Sequence, residues 1–205
     1  MTTREKSPNG KSIVTDAVIG LPTPQIEMMT FRLIGTASLI MHKWSEKAIK
    51  QIEDKQQKKA QSGKEKRNPK AEYEASMHKD ADGDYAFPSI GFKAAAVTAV
   101  TQISGITKVF ARGAFHVDGE FVKIQGKPRM RTDMVRIGMG TADVRYRGEF
   151  PEWSTDITVR YNATVISREQ ILNLFQTAGF AVGIGEWRPE RDGSFGTFRI
   201  ANEGE

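Results

Sequence analysis

The stretch Gly183-Ile-Gly185-Glu-Trp187-Arg188-Pro-Glu-Arg191-Asp-Gly193-Ser-Phe-Gly196-Thr-Phe198 holds the densest set of residues able to meet a ligand. Its four glycines, Gly183, Gly185, Gly193 and Gly196, permit close backbone approach, because a residue without Cβ lets another group come near. Turns rich in glycine can also supply free N–H groups to an anion. Trp187 offers a stacking surface, and Arg188 and Arg191 offer cations for phosphates. The stretch is neither a P-loop nor a dinucleotide fingerprint, since those follow a strand and open a helix. Here a helical pattern comes first and a strand pattern follows. A sharp helix-to-strand connection with Trp187 packed into the core is the alternative, and the two readings are compatible.

Cations gather in two other places. From Lys43 to Lys70 ten Lys or Arg stand against four acids, a net +6, and from Lys127 to Arg147 six stand against two, a net +4. The whole 205-residue chain carries a formal +5. Such an excess favours a polyanionic partner, and cations on flexible segments neutralise phosphates without reading sequence. The candidate nucleic-acid contacts are His42, Lys43, Lys93, Arg112, Arg129, Arg131, Arg136, Arg145 and Arg147, together with Trp187, Arg188 and Arg191. Tyr146 and Phe110 could also stack on bases, although an aromatic in a strand more often fills a core.

Catalytic constellations are sparse. The chain has no cysteine, which excludes disulfides, thiolate chemistry and the Cys-containing zinc sites. His42, His78 and His116 share no metal-ligand spacing, and no carboxylate cluster suggests two-metal chemistry. His42 could act as a general base with Lys43 as its neighbour, or simply contact a phosphate. The expectation is a binding protein that is not an enzyme and uses no cofactor or metal. The first residues lack the apolar stretch of a signal peptide, and no run of eighteen apolar residues occurs, so a cytoplasmic protein without a membrane partner is expected.

Periodicity supplies the elements that would carry these residues. Residues 1–24 read as an irregular arm. Ile26–Ile34 alternates as a strand with one buried face, and Leu39–His42 is a second short apolar stretch. Trp44, Ala48 and Ile52 recur at helical spacing, predicting a solvated helix from about Ser45 to Ala60. Tyr85–Phe87 reads as a strand ended by Pro88, and an alanine-rich helix follows from a Ser89 N-cap to Ile103, closed by Gly105. Strands are expected at Ile106–Phe110, Ala114–Val117 and Glu120–Ile124, with a loop or long hairpin at 127–147. Thr155–Tyr161 alternates as a strand, Ser167 to Gln170 forms a capping box for a helix ending at Gly179, and a last strand spans Phe195 to Ile200. The order predicts an α+β domain over 25–205, with insertions at about 43–80 and 126–150. Its core would be one antiparallel sheet with helices on one face, of the ferredoxin-like or modified RNA-recognition type.

A helix, Gly-Ile-Gly, a spacer, Gly-Ser-Phe-Gly and a closing strand resemble the glycine-rich loop of the repeat-associated (RAMP) superfamily. Phe87-Pro88-Ser89-Ile90-Gly91-Phe92-Lys93 resembles the segment that opens a helix in the CRISPR effector backbone subunits, although Ala94 stands where those often have glycine. Along most of its length the chain is also similar to a group of bacteriophage and prophage proteins. The resemblance implies a bacterial host cell and nucleic acid running across each subunit of a helical filament or homo-oligomer. It gives three functional expectations: a coat for single-stranded DNA or RNA without sequence preference, a CRISPR effector subunit on guide RNA, or a metal-independent endoribonuclease using His42.

Overall fold

The computed structural model describes residues 22–44, 46–57, 67–137, 140–202 and 204–205. The chain runs β1 (Ile26–Gly35), β2 (Leu39–Met41), α1 (Glu46–Gln56), α2 (Pro69–Ala75), β3 (His78–Lys79), β4 (Tyr85–Pro88) and α3 (Ser89–Ala99). It continues through α4 (Lys108–Ala114), β5 (Phe115–Val117), β6 (Phe121–Lys123), β7 (Gln125–Gly126), β8 (Arg129–Ile137) and β9 (Thr141–Phe150). It closes with β10 (Trp153–Asn162), α5 (Arg168–Ala181) and β11 (Phe198–Ile200). Residues 1–21 of the expected arm, the part of the expected helix beyond residue 57 and residues 138–139 lie outside the described residues.

The main sheet has the order β11-β1-β10-β5, entirely antiparallel, with β7 on the same edge of β10 as β5. The elements building it follow one another as strand, helix, strand, strand, helix, strand: β1, α3, β5, β10, α5, β11. Alternation decides its two faces. Met29, Phe31 and Leu33 of β1 and Trp153, Thr155, Ile157, Val159 and Tyr161 of β10 turn inward. Onto them fall Phe92, Ala95, Ala96 and Ala99 of α3 and Ile171, Leu174, Phe175 and Ala178 of α5. Edge-on rings lock the layers, with Phe31 and Phe115 at 5.2 and 6.0 Å from Phe175, and Phe92 at 6.1 Å from Phe198. Each such buried aromatic or aliphatic side chain contributes about 1.5–3 kcal/mol. The opposite face presents Thr30, Arg32, Ser154, Asp156, Thr158 and Arg160 to solvent.

Two smaller sheets flank this one, β2-β9-β8 and β3-β4-β6. The first is an extended hairpin whose base pairs Leu39 with Phe150 and Met41 with Gly148, while β8 pairs with β9 from Arg129↔Glu149 to Ile137↔Thr141. The basic stretch at 127–147 is thus a hairpin, the second of its two predicted forms.

Several expectations are corrected. Ile106–Phe110 is not a strand. Thr107 accepts from the Phe110 N–H at 3.2 Å and opens α4, so a cap overrides the β-branched residues around it. Ser89 is inside α3 rather than its cap, and its hydroxyl donates to the Gly119 carbonyl at 2.6 Å. The α3 helix ends at Ala99 and tightens into a 3-10 turn at Val100–Gln102. The last strand begins only at Phe198. Pro69 starts α2, an element that the charge pattern hides and whose N-cap Asn68 accepts from the Ala71 N–H through its side chain.

Candidate nucleic-acid interface

The capping box of Ser167 and Gln170 fixes the start of α5, and Gly183 takes the chain out of the helix with φ 69°. The loop that follows is tied to its own protein. Ile184 N–H donates to Gly196 O, Glu186 N–H to Ile40 O, Phe195 N–H to Trp187 O and Gly196 N–H to Ser38 O, all between 2.8 and 3.0 Å. A Cβ on Gly193 would fall 1.8 Å from Trp187 O, and one on Gly196 would fall 1.7 Å from Ile184 O. Gly193 and Gly196 therefore serve close approach to the protein's own backbone. The N–H groups of Gly183, Gly193 and Gly196 are used internally, which corrects the expectation that these glycines offer them to a ligand. What the loop presents outward is side chains. Trp187 adopts φ 57°, unusual for a non-glycine residue, and stays 43% exposed. A cavity of about 390 Å³ is lined by Glu186, Trp187, Arg188 and Arg191.

Beside the loop stands the hairpin base. Alternation puts Arg129, Arg131, Asp133, Arg145, Arg147 and Glu149 on one face of β8 and β9, with Arg131 directly opposite Arg147. Like charges facing across a ladder are destabilising unless acids intervene. Asp133 takes Arg131 at 2.8 Å on one oxygen and Arg147 at 3.0 Å on the other. Glu149 takes Arg129 at 2.9 Å and Arg131 at 3.4 Å. The Arg129 hydrogen bond, with Arg131 nearby, holds the Glu149 carboxyl below its ordinary range against the opposing effect of burial. The chain of pairs then crosses to the loop, with Arg147 at 3.7 Å and His42 Nδ1 at 3.4 Å from Glu186. The His42 bond first, and Arg147 after it, keep Glu186 ionised to lower pH than usual, although burial works the other way. The Arg131 guanidinium lies 4.9 Å over the Phe195 ring.

The structure thus brings His42, Arg129, Arg131 and Arg147 into one network next to Trp187, Arg188 and Arg191. Arg147 is only 3% exposed, so its charge is balanced inside the protein rather than offered at the surface. Arg188 is held by Glu190 at 2.7 Å and by Gly185 O at 3.0 Å. Arg145 lies 3.6 Å from Asp143, which also takes Arg67 at 2.9 Å. Lys43 and Arg136 are exposed, and Arg112 sits exposed in the last turn of α4.

Lys93 belongs to a different cluster, at the β5 edge. Its Nζ lies 2.9 Å from His116 Nδ1, and His116 is the register partner of Arg160. Burial lowers the Lys93 pKa, and burial with Lys93 and Arg160 lowers that of His116. A shallow cavity of about 810 Å³ on the open sheet face, lined by Arg32, Ile34, Gln125, Lys127 and Trp153 among others, involves none of the expected contacts.

No protein-family model and no curated protein matches the sequence. Among solved structures, a chain in the cryo-EM structure of the type III-B Cmr-beta bound to cognate target RNA superposes with a TM-score of 0.50 at 9% identity. The match covers 86% of this chain and 59% of that one, so this chain spans about three-fifths of its length. The two chains share a fold. The crystal structure of Cmr6 from Pyrococcus furiosus is also similar, with a TM-score of 0.45 at 9% identity over 87% of this chain and 100% of that one. In this chain the glycine-rich loop joins α5 to β11, and the basic hairpin rises next to it.

Sequence reasoning passed over Glu186, Asp133, Glu149, His116 and Arg160. The period-two spacing of Arg129, Arg131 and Asp133 was the available signal for the first network. Nothing local marks Glu186, whose partners come from β9 and from the residue after β2.

Proposed function

We propose that this chain binds single-stranded RNA as a subunit of a CRISPR-type, multi-protein assembly. The observation carrying the reading is the RAMP-like fold shared with a chain from an assembly solved on target RNA. The strand order 4-1-3-2 implied by β11-β1-β10-β5 supports a ferredoxin-like core of the modified RNA-recognition type. Exposed Lys43, Arg112, Arg136 and Arg191 would neutralise phosphates without reading sequence. In this reading the chain is no nuclease, and His42 is a positioning residue for Glu186.

The test is binding of labelled single-stranded RNA at two salt concentrations, together with analysis of RNA that co-purifies. Affinity that falls with salt and bound RNA of uniform length are expected. Binding that is absent, or indifferent to salt, overturns the proposal. A free-standing phage coat for single-stranded DNA or RNA is the second reading. It is favoured by the outer edge of β8, which pairs with no other strand among the described residues and could pair with a neighbouring copy. Heterogeneous bound nucleic acid and filaments in electron micrographs would select it.

A further inference from the structure

We infer that the cavity at Glu186, Trp187 and Arg191 is a pocket for one unstacked guanine base of the bound strand. The inference rests on the RNA-binding reading and adds a local base preference to it.

Four features of the cavity converge. Its volume of about 390 Å³ lies in the range of small-ligand sites, roughly 300–1,000 Å³. Trp187 supplies a stacking face, and its left-handed backbone is held by the Phe195 N–H and by the close passage of Gly193. A strained non-glycine residue kept half-exposed at a cavity wall points to a functional placement. Arg191 makes no ion pair among the described residues, so its guanidinium is available to the nucleotide's phosphate.

Glu186 decides the base. Its contacts to His42 at 3.4 Å and Arg147 at 3.7 Å are longer than ordinary charged hydrogen bonds, about 2.7–2.9 Å, so they orient the carboxylate while leaving lone pairs open. An ionised carboxylate only accepts, and it accepts best from two adjacent N–H donors. Guanine alone presents such a pair on its Watson–Crick edge, from N1–H and the 2-amino group. Adenine and cytosine set a ring-nitrogen lone pair against the carboxylate beside their amino group, and uracil sets two carbonyls beside its single N–H. Single-stranded RNA bases are read in this way, stacked on an aromatic and hydrogen-bonded along that edge.

The experiment measures affinity of the full chain for a short uridine oligomer carrying one central guanosine, inosine, adenosine or cytidine. Inosine lacks only the 2-amino group. Guanosine should bind roughly tenfold more tightly than inosine, and more tightly than the other bases. Glu186→Gln should erase the guanosine-to-inosine ratio, and Trp187→Ala should bring the guanosine oligomer down to the adenosine one, with melting curves confirming folded variants. Equal affinity for guanosine and inosine in the unmutated chain, or a ratio that survives Glu186→Gln, overturns the inference. Salt-sensitive binding without discrimination sinks this pocket alone, whereas failure of every oligomer to bind sinks the RNA-binding reading as well.

Discussion

Two glycines with similar backbone angles have different reasons to be glycine. Gly196 has φ 66° and its Cβ would strike the Ile184 carbonyl, while Gly83 has φ 86° and open space around it. Gly83→Ala should therefore cost only the left-handed backbone penalty, about 1–2 kcal/mol. Gly196→Ala adds a collision with main chain and should cost roughly 3 kcal/mol or more. Urea denaturation midpoints of the two variants check this, and equal losses would mean that the loop relaxes around the methyl group. At this scale the glycine spacing made the loop legible in the sequence. The direction in which its N–H groups point was not, because Ser38 and Ile40, which accept two of them, come from the other end of the chain.

Among elements, the hairpin of β8 and β9 depends on charges at its base. Arg147 has Asp133 on one side and Glu186 on the other, and it is buried. Removing one member of a buried pair strands the other, so Arg147→Ala should destabilise by about 3 kcal/mol. The loss should also be local at first: trypsin should cut between Arg129 and Arg147 of the variant before it reaches the main sheet, as mass spectrometry of early fragments would reveal. Cleavage spread evenly over the chain would refute a hairpin held chiefly by this pair. The strands with strict alternation, β1 and β10, were readable because one face of each is covered by helices. Helix α4 was misread because Ile106, Thr107 and Val109 favour strand locally, and only the Thr107 cap with the inward-facing Ala111 and Ala114 reverses that preference. Ion pairs such as Arg131 to Asp133 were implicit in the spacing, but a list of cations conceals them.

Over the whole molecule, that internal pairing limits how many cations meet a phosphate. Arg129, Arg131, Arg145, Arg147 and Arg188 are each matched to an acid. Of the expected contacts Lys43, Lys93, Arg112, Arg136 and Arg191 remain, about five. Each contributes about −0.7 to the slope of log affinity against log salt on a single strand, so a slope near −3.5 is expected from a salt titration. A slope near zero would exclude these residues as the contact set. Stability should fall in acid in two stages. His78 and His116 have folded pKa values below their unfolded value of about 6.5, through burial first and neighbouring cations second. Glu149 and Glu186 likewise sit below the usual carboxylate value of about 4.3. The unfolded chain therefore binds the extra protons, and stability present above about pH 6.5 is lost as pH drops through the histidines, then again below about pH 4.3. Melting temperature against pH should show both stages, with His78→Gln and His116→Gln together flattening the first.

The bare edge of β8 also bears on solubility. A long unpaired strand invites uncontrolled pairing between molecules, and positively charged side chains along it are a common safeguard. Arg129, Arg131 and Arg136 are spaced along this edge, with exposed Met130 and Met134 between them. Replacing Arg136 by alanine would thus change two things at once, weakening attraction to polyanions and removing part of the guard against aggregation. Light scattering recorded beside every affinity would separate the two, since a variant that self-associates loses apparent binding whether or not the arginine ever touched RNA.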